Sequence, residues 1–283
     1  MKNSRQIFAP IWFLVFALFS GCDAGITPDC PDPSSFNYSP DAAGSIICYD
    51  MRGCLGYQPG LAYSGSVGST FNDPGFDRMF KEETALQSAF FQDIPANVLV
   101  LYEPSEAYAN CYATYSGEIL FGYYYYQKTR RNYGLLPLAG TLSHEFGHLV
   151  QYDGKWNDYG APFFRELEAD AFSGLYMALY KAIDWQHIQT YYANVYDSGD
   201  FLYNDPTHHG TPEERLAAAR LGVEVAVAIM QEGAALTYDE LHELFLDKIM
   251  NTIAPRSTDL IEYPDIAYPE LSPAQRKALF PHK

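Results

Sequence analysis

A chain of 283 residues, 48% of them hydrophobic, has the length and apolar content for one or two globular domains with a full core. A formal net charge of −17 repels polyanions, so nucleic acid and anionic lipid surfaces are poor partners on electrostatic grounds. The 24 tyrosines, clustered in FGYYYYQ at 121–127, speak for strands or adhesive surfaces and against disorder.

The first 21 residues read as a targeting segment and not as part of the fold. Lys2 and Arg5 form a basic start, and residues 7–20 (IFAPIWFLVFALFS) are an apolar run too short for a membrane-spanning helix. The run ends in LFSGC, with small Ser20 and Gly21 directly before Cys22. This resembles the bacterial lipobox. The resemblance implies a lipid on Cys22 as the first mature residue, and a protein anchored to the bacterial cell envelope facing the periplasm or exterior. An ordinary secretory signal ahead of a cysteine is the competing reading. Removing residues 1–21 takes away Lys2 and Arg5 and no acid, which moves the net charge from −17 to −19. No other run in the sequence is long and apolar enough to cross a bilayer.

Residues 22–70 are rich in Pro, Gly, Ser and Asp and read as a tether with a small module. Beyond Cys22 the cysteines are Cys30, Cys48, Cys54 and Cys111, an even number that favours disulfides in an exported chain and permits three connectivities. None forms a CxxC pair, which argues against a cysteine zinc site. The stretch 30–48, CPDPSSFNYSPDAAGSIIC, resembles a short cysteine-bracketed module of secreted bacterial proteins. That resemblance implies a local Cys30–Cys48 bridge and leaves Cys54 for Cys111. Cys48–Cys54 with Cys30–Cys111 is the rival pairing.

Residues 71–283 form the globular part. Phe76, Met79, Phe80, Leu86, Ala89 and Phe90 recur at helical spacing over 73–92. Residues 96–103 (ANVLVLYE) read as a buried strand and 117–127 (GEILFGYYYYQ) as a second. Helices are predicted over 135–152, 162–183 and 184–196. Capping boxes at Thr211–Glu214, Thr237–Glu240 and Ser272–Gln275 announce three more. Helices outnumber strands, so the fold class is α+β with a small sheet.

One stretch carries chemistry. HEFGH at 144–148 sets His144 and His148 four residues apart on a predicted helix, where their side chains project together and can close on one zinc ion. Glu145 falls on a neighbouring face, within reach of a metal-bound water without being a ligand, and Gly147 permits a close approach. A shuffled chain of this composition contains HExxH roughly once in a hundred, so the pattern needs a second feature. A catalytic zinc takes three protein ligands and keeps one position open. A histidine six residues past His148 would serve, but that residue is Gly154. The remaining source is the acidic run Glu166, Glu168 and Asp170 on the next predicted helix. Leu167, Ala171, Gly174, Leu175 and Ala178 form that helix's apolar stripe; Glu166 and Asp170 share one flank and Glu168 lies on the other. This geometry assigns Glu166 as the third ligand and Asp170 as the hydrogen-bond partner of a ligand histidine. Without HEFGH upstream, a solvated helix face would explain the same acids.

HEFGH followed by ELEAD at 166–170 resembles the gluzincin metallopeptidases, among them the bacterial neutral zinc metallopeptidases and the soluble core of the prenyl-protein endopeptidases. The resemblance implies a zincin-like fold, mostly helical, with a small mixed sheet packed beside the active-site helix. It implies a zinc-dependent endopeptidase acting on peptides or proteins, with Glu145 as general base. DPTHHGTPEERL at 205–216 is similar to a further segment of these families, which implies that His209 and Arg215 contact substrate or transition state. By the same likeness, EILFG at 118–122 is expected to be the edge strand that pairs an extended peptide. The multiple spans of the prenyl-protein endopeptidases are missing from this sequence, and the resemblance does not extend beyond Gly233.

Two other classes fit part of the pattern. A zinc-binding envelope lipoprotein that serves only as an interaction module keeps the ligands but has no use for Glu145. A lipid-anchored adhesion protein, acting through its tyrosines and its cysteine-bracketed module, needs no zinc.

Overall fold

A computed structural model describes residues 46–50, 62–92, 94, 96–181, 185–200, 208–254 and 275. Five strands, β1 (Ile46–Asp50), β2 (Ala62–Gly68), β3 (Asn97–Tyr102), β4 (Cys111–Ala113) and β5 (Glu118–Gly122), form one mixed sheet in the order β1-β2-β3-β5-β4. Among the described strands only β3 and β5 run parallel, with Val98 opposite Ile119 and Val100 opposite Phe121. The helices are α1 (Pro74–Phe90), α2 (Tyr123–Tyr133), α3 (Leu136–Gly154), α4 (Pro162–Tyr176), α5 (Trp185–Asp197), α6 (Pro212–Glu232) and α7 (Tyr238–Lys248). The α+β class read from the sequence is the class observed.

The core has two parts. Between sheet and helices, Phe71, Phe76, Phe80, Phe121 and Tyr126 pack ring against ring with centroids 4.2–6.0 Å apart. Beyond them α4 lies between α3 and α6. Phe146 of α3 stacks on Phe91 at 5.5 Å, and Phe172 of α4 meets Phe245 of α7 at 5.2 Å. Phe146 and Phe172 are fully buried, so truncating either to alanine costs about 3–5 kcal/mol. Gly222 sets the spacing of α4 and α6, because a Cβ there would run into the Ala171 carbonyl.

Local chemistry explains the helix starts. Asp73 caps α1 by accepting from the Phe76 amide, with Pro74 in the first turn. The Phe76 amide, Arg130 and Tyr126 together hold its carboxyl down at about 2. The capping boxes at Thr211 and Thr237 are both formed. Ser272, start of the third, lies outside the described residues.

Three expectations need correction. The tyrosine run does not continue the second strand: β5 ends at Gly122 and Tyr123–Tyr133 is helical. Tyrosine favours strands, but the Glu103 carboxylate at the end of β3 accepts from the amides of Tyr124 (2.9 Å) and Tyr125 (3.3 Å), capping α2 from a distant part of the chain. Burial pushes that carboxyl up to about 7, against the pull of these amides. The edge strand is not 118–122 either. The unpredicted β4 pairs outside it, Cys111 opposite Phe121, and takes the edge. Lastly, β2 joins β3 through Ser66 opposite Tyr102, so the sheet reaches into the region 22–70 read as tether.

Candidate metal centre

The centre is built where α3 and α4 touch. Gly147 makes the touch possible: a Cβ there would sit 3.2 Å from both the Ala169 Cα and the Phe172 Cβ. The approach brings His144, His148 and Glu166 into one buried cluster. The two Nε2 atoms are 3.1 Å apart; Glu166 Oε2 lies 3.4 Å from His144 Nε2, and Oε1 lies 3.5 Å from His148 Nε2. Ligands at 2.0–2.1 Å from a tetrahedral ion are about 3.3–3.4 Å from one another. The cluster has that size.

The hydrogen bonds decide which ring atoms are offered. His144 Nδ1 stands 2.9 Å from Asp170 Oδ1, a carboxylate that can only accept there. His148 Nδ1 stands 2.8 Å from Gln151 Oε1, whose identity follows from the other end of the amide: Gln151 Nε2 donates to the Arg165 carbonyl and to Glu168 Oε2, both at 2.9 Å. Both rings therefore carry a proton on Nδ1 and turn their Nε2 atoms toward the same point. Two ring nitrogens and a carboxylate at this separation repel unless a proton or a metal ion lies between them. The donor set fits a divalent ion.

Charge around the cluster is balanced in the same way. Burial works against a charged His144 ring, but the neighbouring Asp170 carboxylate and the bonds to Asp170 and Glu166 outweigh it, holding the ring up at about 10. Burial likewise raises Glu166, yet the His148 ring and hydrogen bonds from both histidines keep it well below the usual carboxylate range. Asp170 is also held low against burial, by Arg215 and His144.

Arg215 is turned onto that acid. Its Nε donates to Asp170 Oδ2 at 2.7 Å, its NH2 group to Oδ1 at 2.9 Å, and its NH1 group to the Ser198 carbonyl at 3.2 Å. A buried carboxylate beside a metal ligand requires such a counter-charge. Arg215 thus stands behind His144 and also lines the cavity beside the cluster. Glu168 lies on the opposite flank of α4, as its position predicts, yet it is as buried as Glu166 and Asp170, so none of the three belongs to a solvated face.

A cavity of about 310 Å³ opens beside the cluster, with Glu145, His144, Glu166, His209 and Arg215 in its wall. Asp200 fixes the backbone at His209: it accepts from the His209 amide at 3.1 Å and lies 2.6 Å from His208 Nδ1. Cys111 also lines the cavity. Its thiol is free and buried, and burial and the Glu145 charge push it well above its ordinary value. Cys22, Cys30 and Cys54 lie outside the described residues, as does the side chain of Cys48. Among the described residues no helix is long and apolar enough to cross a membrane.

Gln151, Asp200 and His242 escape a reading of the sequence. Only Gln151 leaves a trace there, three residues past His148 on the same helix face. No protein-family model matches the chain, and no curated protein and no solved structure matches it.

Proposed function

We propose that the protein is a zinc-dependent peptidase of the gluzincin kind, cleaving peptide or protein chains internally at the bacterial cell envelope, where a lipid on Cys22 anchors it. The observation that carries the reading is the convergence of His144, His148 and Glu166 at tetrahedral spacing, with Glu145 in the wall of the adjoining cavity. Two imidazoles and one carboxylate are a donor set that suits zinc. When bound, zinc polarises a carbonyl and brings the pKa of water toward about 7.

The chain's own residues supply the rest. Glu145 neighbours ligand His144 without belonging to the cluster, so it serves as the base that accepts a proton and returns it to the leaving amine. His209, held by Asp200 through its amide, is the donor for the developing oxyanion. Asp170 and Arg215 orient His144. The edge strand β4, with Cys111 at the cavity, offers backbone groups for pairing an extended substrate.

Metal analysis of the purified chain and assay against a peptide library test the reading. One zinc per chain and internal cleavage are expected. Glu145→Gln should keep the zinc and lower the rate by about 10²–10⁴-fold, since its amide accepts no proton. A chain without bound metal, or equal cleavage by the variant, overturns it. Zinc without cleavage would leave the interaction module.

A further inference from the structure

Helix α7 follows Gly233, in the part of the chain that the family resemblance does not reach. Its His242 is buried, stacked on Trp156 with ring centroids 4.0 Å apart and planes at 7°, and set edge-on to Tyr159. Its Nε2 lies 3.1 Å from Asp158 Oδ1 and its Nδ1 lies 2.7 Å from Glu168 Oε1. Glu168 Oε2 accepts from the Tyr159 hydroxyl and, at 2.9 Å, from Gln151 Nε2. Gln151 Oε1 then meets His148 Nδ1 at 2.8 Å. A continuous chain of hydrogen bonds thus runs from exposed Asp158, through α7 and α4, to a ligand of the candidate metal centre.

We infer that His242 is a positioning residue for His148, acting through Glu168 and Gln151. The inference rests on the metal reading above.

The weak joint in the chain is the amide. Gln151 has two orientations of nearly equal shape, and only one turns its oxygen to His148. In that orientation His148 carries its proton on Nδ1 and keeps Nε2 open for a cation. In the other, an NH2 group faces Nδ1, the proton moves to Nε2, and the ligand atom is blocked. The chosen orientation is the one whose NH2 finds two acceptors, the Arg165 carbonyl and Glu168 Oε2. Glu168 can present Oε2 there because His242 holds Oε1 on the far side. Without that donor, Oε1 is left buried and unpaired. The carboxylate then turns to satisfy it, and Gln151 loses the acceptor that selects its orientation. Tyr159 cannot replace His242, because its hydroxyl is on Oε2.

The test compares full-length wild type with His242→Phe, which keeps a ring on Trp156 but has no donor, and with His242→Asn, whose amide nitrogen stands where Nδ1 stood. Zinc affinity is read by competition with a chromophoric chelator, and the tautomer of His148 by nitrogen-15 NMR of chelator-stripped protein. The Phe variant should bind zinc about 10–100-fold more weakly and show the Nε2-protonated ring of His148, while Asn restores both values. In a Gln151→Met background, His242→Phe should have no further effect on zinc. If Phe leaves affinity and tautomer at their wild-type values, or if Asn is as impaired as Phe, the assignment is overturned. Should the Phe variant fail to fold, His242→Gln, whose amide reaches toward Asp158 instead, takes its place. Wild type that binds no zinc would refute the metal reading, and the tautomer comparison would still decide the role of His242.

Discussion

The two histidines of the centre are supported in opposite ways by the two flanks of one helix. On one flank of α4, Asp170 holds His144 and is itself held by Arg215 from α6, a buried ion pair. On the other, Glu168 reaches His148 only through the neutral amide of Gln151, and its donors come from Tyr159 and α7. A charged support raises the basicity of its ligand strongly but is costly to break, because either partner left alone is a buried charge. A neutral support fixes direction and tautomer with little charge. The same helix thus sets electron density at one ligand and orientation at the other.

The largest effect should come from removing a ligand outright. His148→Ala and Glu166→Ala should each abolish stoichiometric zinc by elemental analysis, while Glu168→Ala retains part of it. The reverse order for the two glutamates would show that the flanks have been assigned the wrong way round.

Next in size is Asp170→Asn, which leaves Arg215 buried without its carboxylate. It should destabilise the chelator-stripped protein by about 3–5 kcal/mol in urea unfolding, as expected for a broken buried pair. Acid distinguishes the flanks further. The carboxyl of Asp170 is depressed below its ordinary 3.8, so its stabilisation is present above that value and is lost as pH falls through the folded-state value. The Asn variant should lack this part of the acid limb; an unchanged limb would mean the ion pair contributes nothing there.

The smallest effect should be that of Gln151→Met, which removes the amide at similar length. Zinc should weaken by about tenfold, with unfolding shifted less than in Asp170→Asn. A larger loss than for Asp170→Asn would invert the comparison.

Much of this centre was legible because it is helical. His144 and His148, and then Glu166 and Asp170, each stand four apart, a spacing that places both members of a pair on one face before any tertiary contact is known. The capped starts of α6 and α7 were legible for the same local reason. What escaped depends on partners far along the chain. The tyrosines of 123–126 are helical because Glu103, some twenty residues earlier, caps them. Strand β4 has three residues, too few for an alternation to show, and five of the seven residues of β2 are Ala, Ser or Gly, which carry little strand signal. His242 belongs to the centre only because α7 packs against α4, a contact that no spacing announces.

The bare contact at Gly147 turns the centre into a gauge. With no side chain between α3 and α4 there, the distance from the histidine pair to Glu166 is set by two backbones in van der Waals contact, not by flexible side chains. Gly222 seats α4 against α6 more closely still, since a Cβ there would overlap the Ala171 carbonyl. Such a frame cannot widen without disturbing the core on both sides. An ion that wants oxygen ligands at about 2.3–2.6 Å, as calcium does, would have to push the helices apart, whereas one content with shorter bonds slots in. For an ion held by this cluster, the helix spacing would thus favour a small one alongside the ligands themselves.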